Sequence, residues 1–104
     1  MNSYIRCKLA LTEDNPTIKP YDEALWAKLP DASTAPIDLS LNLADALHGR
    51  WALVLRAMTD REFERTLVHP EAGTLKLKAI AACYAWHGRH HVAQIVATRK
   101  HYGW

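Results

Sequence analysis

Between Leu39 and Thr59, the residues Leu43, Leu47, Trp51, Val54 and Met58 recur at spacings of four, four, three and four. That is the 3.6-residue period of one helical face, so the spacing predicts a long amphipathic helix with this row turned toward a core. Asp38 or Ser40 supplies the cap expected at its start. A helix of this kind must bury its stripe against another element, and the rest of the chain has to provide it. Residues 1–13 read as a second helix, with Tyr4, Ile5, Leu9 and Thr12 on or near one stripe. Four of the five prolines (Pro16, Pro20, Pro30, Pro36) fall within 14–37, which makes that stretch mostly loop, with one helical turn at Asp22–Leu29.

The only extended signal lies near 65–75. Arg65-Thr66-Leu67-Val68 and Thr74-Leu75-Lys76-Leu77 flank His69-Pro70-Glu71-Ala72-Gly73, a pattern for a small hairpin or a wide turn in which Gly73 can supply a left-handed residue. A third long helix follows from about Leu77 to His101. Three main helices plus a hairpin place the chain in the all-α class, as part of an antiparallel bundle within one domain over 1–104.

The third helix carries the chemistry. Trp86-His87-Gly88-Arg89-His90-His91 sets His87 and His91 four residues apart, hence side by side on one helical face. With Ile80 at zero and about 100° per residue, His87 falls near −20°, His91 near +20°, Gln94 near −40° and His90 near −80°. Both spaced histidines are therefore expected in the middle of the buried face, with His90 at its edge. Two imidazoles so placed can reach one divalent ion. Satisfied core histidines are the competing reading. The pair lacks the glutamate of the H-E-x-x-H zinc proteases. Cys83 continues the i, i+4, i+8 series, but about 12 Å of helix rise separates it from His91, so one straight helix cannot bring all three to one ion. A third ligand must come from another helix or another chain. His48, His69 and His101 read as a partner- or solvent-facing residue, a loop residue and a residue of the last helical turn.

Other classes are disfavoured. A net charge of +2 with no basic run or aromatic platform argues against nucleic acid. No apolar run is long enough to span a membrane. Ser-His-Asp and Cys-His arrangements and Gly-rich phosphate loops are lacking. Cys7 and Cys83 are expected as free, buried thiols in a reducing cytoplasm.

Several segments, taken in order, go further: Asn2-Ser3-Tyr4-Ile5-Arg6, Lys8-Leu9-Ala10-Leu11-Thr12-Glu13, Tyr21-Asp22-Glu23 with Leu25-Trp26, Leu47-His48 with Arg50-Trp51, His69-Pro70-Glu71, Tyr84-Ala85-Trp86-His87-Gly88-Arg89-His90-His91, and Gly103-Trp104. Together they resemble the YfiT-type branch of the DinB-like proteins, metal-dependent hydrolases whose relatives include bacillithiol S-transferases. The resemblance implies a four-helix bundle in which three histidines hold Zn²⁺ or Ni²⁺. His87 and His91 would be two of them. The third would lie in an H-V-A-D-S-H-like stretch just before the segment matching Met1-Asn2-Ser3-Tyr4. On this reading the chain matches the C-terminal two-thirds of the family pattern, without its first helix and third ligand. His90 and Gln94 become candidates for the pocket around the metal. Gln94 stands where close relatives often have histidine. Cys7 replaces an expected aromatic, and Lys76-Leu77-Lys78 opens the third helix with charges that oppose its dipole.

An exposed apolar groove is then expected, covered in a homodimer or higher homo-oligomer. Two functions follow. One is a metal-dependent hydrolase acting on a small molecule the sequence does not name, its activity impaired by the missing ligand. The other is a non-catalytic bundle acting as an oligomeric structural or binding protein.

Overall fold

A computed structural model describes all residues, Met1–Trp104. The order is α1 (Asn2–Thr12), α2 (Glu23–Trp26), α3 (Pro30–Ser33), α4 (Ile37–Ala57), α5 (Asp60–Phe63), β1 (Thr66–His69), β2 (Gly73–Lys76) and α6 (Leu77–Tyr102). The fold is a helical bundle with one antiparallel hairpin, as the sequence predicts. Its register pairs Thr66 with Lys76 and His69 with Gly73, whose φ of 74° is the left-handed conformation that favours glycine. No helix is long and apolar enough to cross a membrane.

The boundaries correct several expectations. α4 starts at Ile37 behind Pro36, so neither Asp38 nor Ser40 is its cap; Asp38 instead lies in the first turn, where a carboxylate suits the dipole. The predicted turn at 22–29 contracts to α2, capped by the Asp22 carboxylate accepting from Leu25 N–H. α3 follows it with Pro30 in its first turn, and α5 carries a Thr59/Glu62 capping box. The stripe of α1 also differs. Its buried residues are Ser3, Cys7 and Ala10, while Ile5 is half exposed. Small side chains there let the helix backbone approach the hairpin and α6 closely.

The core is small: Cys7, Ala10, Ile18, Trp51, Leu67 and Leu77, one or two residues from each converging element. Ile18 belongs to it because the proline-rich loop docks on β1. Ile18 N–H donates to Val68 O, and Val68 N–H donates to Pro16 O. Of the α4 row, Trp51 is buried and Val54 and Met58 pack against the core, whereas Leu43 is 52% exposed.

Arg65 joins these pieces. Its Nε donates to Ala10 O at 2.5 Å and its Nη2 to Glu13 O at 2.6 Å, so a cation closes the C-terminal end of α1. Its own carbonyl accepts from Leu77 N–H at the start of α6. Arg65→Ala leaves the buried Ala10 carbonyl unpaired and removes the tie to Glu13, and is expected to cost about 2 kcal/mol, on the order of 10 °C in Tm, measured by thermal melting followed by circular dichroism. The lysines that open α6 are also answered. Glu64 takes Lys76 on one carboxylate oxygen and Lys78 on the other, at 2.7 and 2.5 Å, and the two ammonium groups hold its pKa down to about 2. The helix start thus gains the negative charge it lacks in sequence.

Candidate functional site

α6 positions the candidate site through its periodicity. Ile80 packs against the core, and Tyr84 meets Trp51 edge-on at 5.1 Å between ring centres. The same stripe then continues into His87 and His91. Here the expected burial fails: His87 is half-buried and His91 exposed, because no element of this chain lies over the second half of α6. Every residue from His91 to Trp104 is exposed.

The two rings nevertheless converge. His87 Nε2 and His91 Nε2 lie 3.1 Å apart, with the ring planes nearly perpendicular. The second nitrogen of His91 is engaged as well, since Nδ1–H donates to Gln94 Oε1 at 3.1 Å. An amide oxygen only accepts, so that bond places the His91 proton on Nδ1 and leaves the Nε2 lone pair facing His87. With Zn–N bonds of about 2.05 Å, nitrogens at this separation subtend an angle of roughly 100° at a shared ion, between octahedral and tetrahedral values. The pair therefore fits two adjacent positions around a divalent metal. No cluster of three or more His, Cys, Asp or Glu side chains with the geometry to hold a metal forms within the chain. Gln94 is thus the side chain that orients the His91 ring.

The other candidates disperse. His90 stacks on Trp86 at 4.6 Å and does not join the pair. His48 Nδ1 bonds Ala44 O on its own helix. His69 Nδ1 accepts from the Glu71 and Ala72 N–H groups, which secures the hairpin turn. His101 packs edge-on against Tyr102.

Cys83 is exposed, against expectation, because the face of α6 it occupies is uncovered. Cys7 is buried as expected. Burial raises the Cys7 thiol pKa. One thiol per chain, that of Cys83, is therefore expected to react promptly with a disulfide reagent in the folded protein, with Cys7 following only in denaturant. Cys83→Ser removes the prompt phase.

Sequence reasoning underrated Tyr84. Tyr84 links the core to the histidine pair, its ring centre 5.5 Å from that of His87.

Comparisons with known proteins bear on this arrangement. YfiT from Bacillus subtilis, described as a probable metal-dependent hydrolase with an unusual four-helix bundle topology, matches the whole chain at a TM-score of 0.95 and 46% identity, over 60% of its own length. Proteins of Bacillus mycoides and Bacillus cereus, each named "Putative metal-dependent hydrolase", are 54% and 55% identical over all 104 residues. The chain spans about 60% of the length of these curated relatives. The sequence profile of the DinB superfamily matches residues 2–95, and the chain belongs to that superfamily.

Proposed function

We propose that this chain supplies half of a divalent-metal centre in a hydrolase of the DinB superfamily, with His87 and His91 as ligands through Nε2. The observation that carries the reading is the convergence of those two nitrogens while Gln94 holds the far side of the His91 ring. Imidazole donors suit Zn²⁺ or Ni²⁺, one ion per site. The names of the relatives favour metal-dependent hydrolysis, and we take its substrate to be a small molecule. A bound ion supplies Lewis acidity to such a reaction. The residues of this chain hold and orient the ligands, and the cavity wall of Tyr84 and Ile80 receives the substrate's body. The third ligand comes from outside these 104 residues. Free Cys7 and Cys83 suit a reducing compartment, the cytoplasm.

Calorimetric titration of the purified protein with ZnCl₂ or NiCl₂ tests the reading. Saturable uptake that disappears in His91→Ala is expected. Uptake that ignores both His87→Ala and His91→Ala overturns it.

A second reading, a non-catalytic bundle that associates with itself, is favoured by the apolar surface left open. Leu39, Leu43, Val92, Ile95 and Val96 are each more than half exposed. Exposed apolar side chains in such number invite a partner helix, and on this reading a second copy covers them. Size-exclusion chromatography with light scattering is expected to give a dimer or larger assembly at micromolar concentration. A folded monomer there refutes self-association.

A further inference from the structure

Arg6 of α1 is half-buried and lines two adjoining cavities. One, of about 260 Å³, lies between α1, the hairpin and α6, with Leu67, Leu75, Ile80 and Cys83 among its walls. The other, of about 410 Å³, lies between α1, α4 and the start of α2, reaching Trp26 and Leu47. Ser3, Arg6 and Tyr84 border both, so the two spaces adjoin at these three residues.

The charge there has no counter-ion. Every ion pair in the chain is made by Glu64, with Lys76 and Lys78. Arg6 spends one donor, Nη2–H, on Lys19 O at 3.3 Å, and its guanidinium lies 5.9 Å from the Tyr21 ring centre. Most of its five N–H donors remain unspent. A part-desolvated cation beside apolar walls attracts an anion more strongly than a fully solvated one does. The planar fork of N–H groups matches the paired oxygens of a carboxylate or phosphate. Tyr84 carries the cavity toward the histidine pair through its contact with His87. A space of about 260 Å³, against about 150 Å³ for a cavity that takes benzene, accommodates roughly ten non-hydrogen atoms.

We propose that Arg6 forms an oxyanion subsite, taking the carboxylate or phosphate of a small organic anion whose apolar body lies along Leu75, Ile80 and Tyr84. Its identification as the recognition end of the substrate rests on the metal reading above; binding of the anion itself does not.

The test is a ¹H–¹⁵N titration of the metal-free 104-residue protein with phenylacetate and with phenyl phosphate, using uncharged 2-phenylethanol as the control. Saturable shifts at the Arg6 side chain and along the Ile80–Tyr84 stretch are expected, weakened by 0.5 M salt and at least tenfold weaker for the alcohol. Arg6→Gln is expected to weaken both anions at least tenfold, and Arg6→Lys, which keeps the charge, to bind at an intermediate strength. Tighter binding of phenyl phosphate assigns the site to phosphate, and tighter binding of phenylacetate to carboxylate. Equal binding of the alcohol, or anion binding unaffected by Arg6→Gln, overturns the subsite. If Arg6→Gln fails to fold, the alcohol and salt comparisons on the unaltered protein still decide. His91→Ala is expected to leave anion binding intact while metal uptake is lost. Anion binding by a chain that takes up no metal therefore leaves the subsite standing and removes the metal reading.

Discussion

Leu67→Ala is expected to lower the urea midpoint of unfolding by roughly 2 M, the effect of about 3 kcal/mol at an m-value on the order of 1.5 kcal/mol/M. Leu67 is 1% exposed and sits where β1 meets α1 and α6, so its removal leaves a cavity that nothing can fill without separating those elements. The core has six apolar members, and Leu67 and Leu77 are the largest fully buried aliphatic side chains among them. Little other burial compensates for the loss. Val68 points to the opposite face of the hairpin and is only half-buried. Val68→Ala should therefore cost no more than about 1 kcal/mol. Equal losses in the two variants, followed by circular dichroism at 222 nm, would show that the hairpin does not close the core.

His91→Ala is expected to lower affinity for Zn²⁺ or Ni²⁺ by more than about a hundredfold. Loss of a group that merely orients a metal-bound imidazole costs about 10–100-fold, and His91 would be a ligand itself. Gln94→Leu should fall within that smaller range. It removes the acceptor that holds the His91 Nδ1 proton and so frees the ring to turn and exchange tautomers. His90→Ala should leave affinity unchanged, because that ring lies on Trp86 and not on the pair. The same calorimetric titration reads all three. A His90 effect as large as that of His91 would mean that the ligands are misassigned. Saturating metal should also stabilise the fold, by about 2.7 kcal/mol at a hundred times Kd, and His91→Ala should abolish that gain.

The elements of this fold were legible where local chemistry and packing agree. The α4 row, the left-handed glycine of the hairpin and the span of α6 all follow from residue spacing and turn chemistry. The four-residue spacing of His87 and His91 also foretold that their rings would meet. What spacing could not convey was which stripe meets another element. It set both histidines in the middle of a buried face and Ile5 on the core side of α1, where of that stripe Tyr4 does pack against the core. Burial depends on what lies opposite, and no element of this chain packs over the second half of α6. Long-range charge was equally hidden. Lys76 and Lys78 looked unfavourable until Glu64, twelve and fourteen residues away, came alongside them. Arg65 gave no sign that it would close a helix 52 residues earlier.

The one-sided anchoring of α6 has a mechanical consequence. Leu77 is fixed in the core, and His91 stands fourteen residues further along a rod that rises 1.5 Å per residue, a lever of about 21 Å. A tilt of about 5° at the anchor swings that imidazole by nearly 2 Å, about the length of a metal–nitrogen bond. Both rings ride on the same rod, so their mutual spacing survives such a swing. Their distance from any donor on a separate body does not, so on the metal reading proposed above a third ligand would have to hold the free end of α6 in place.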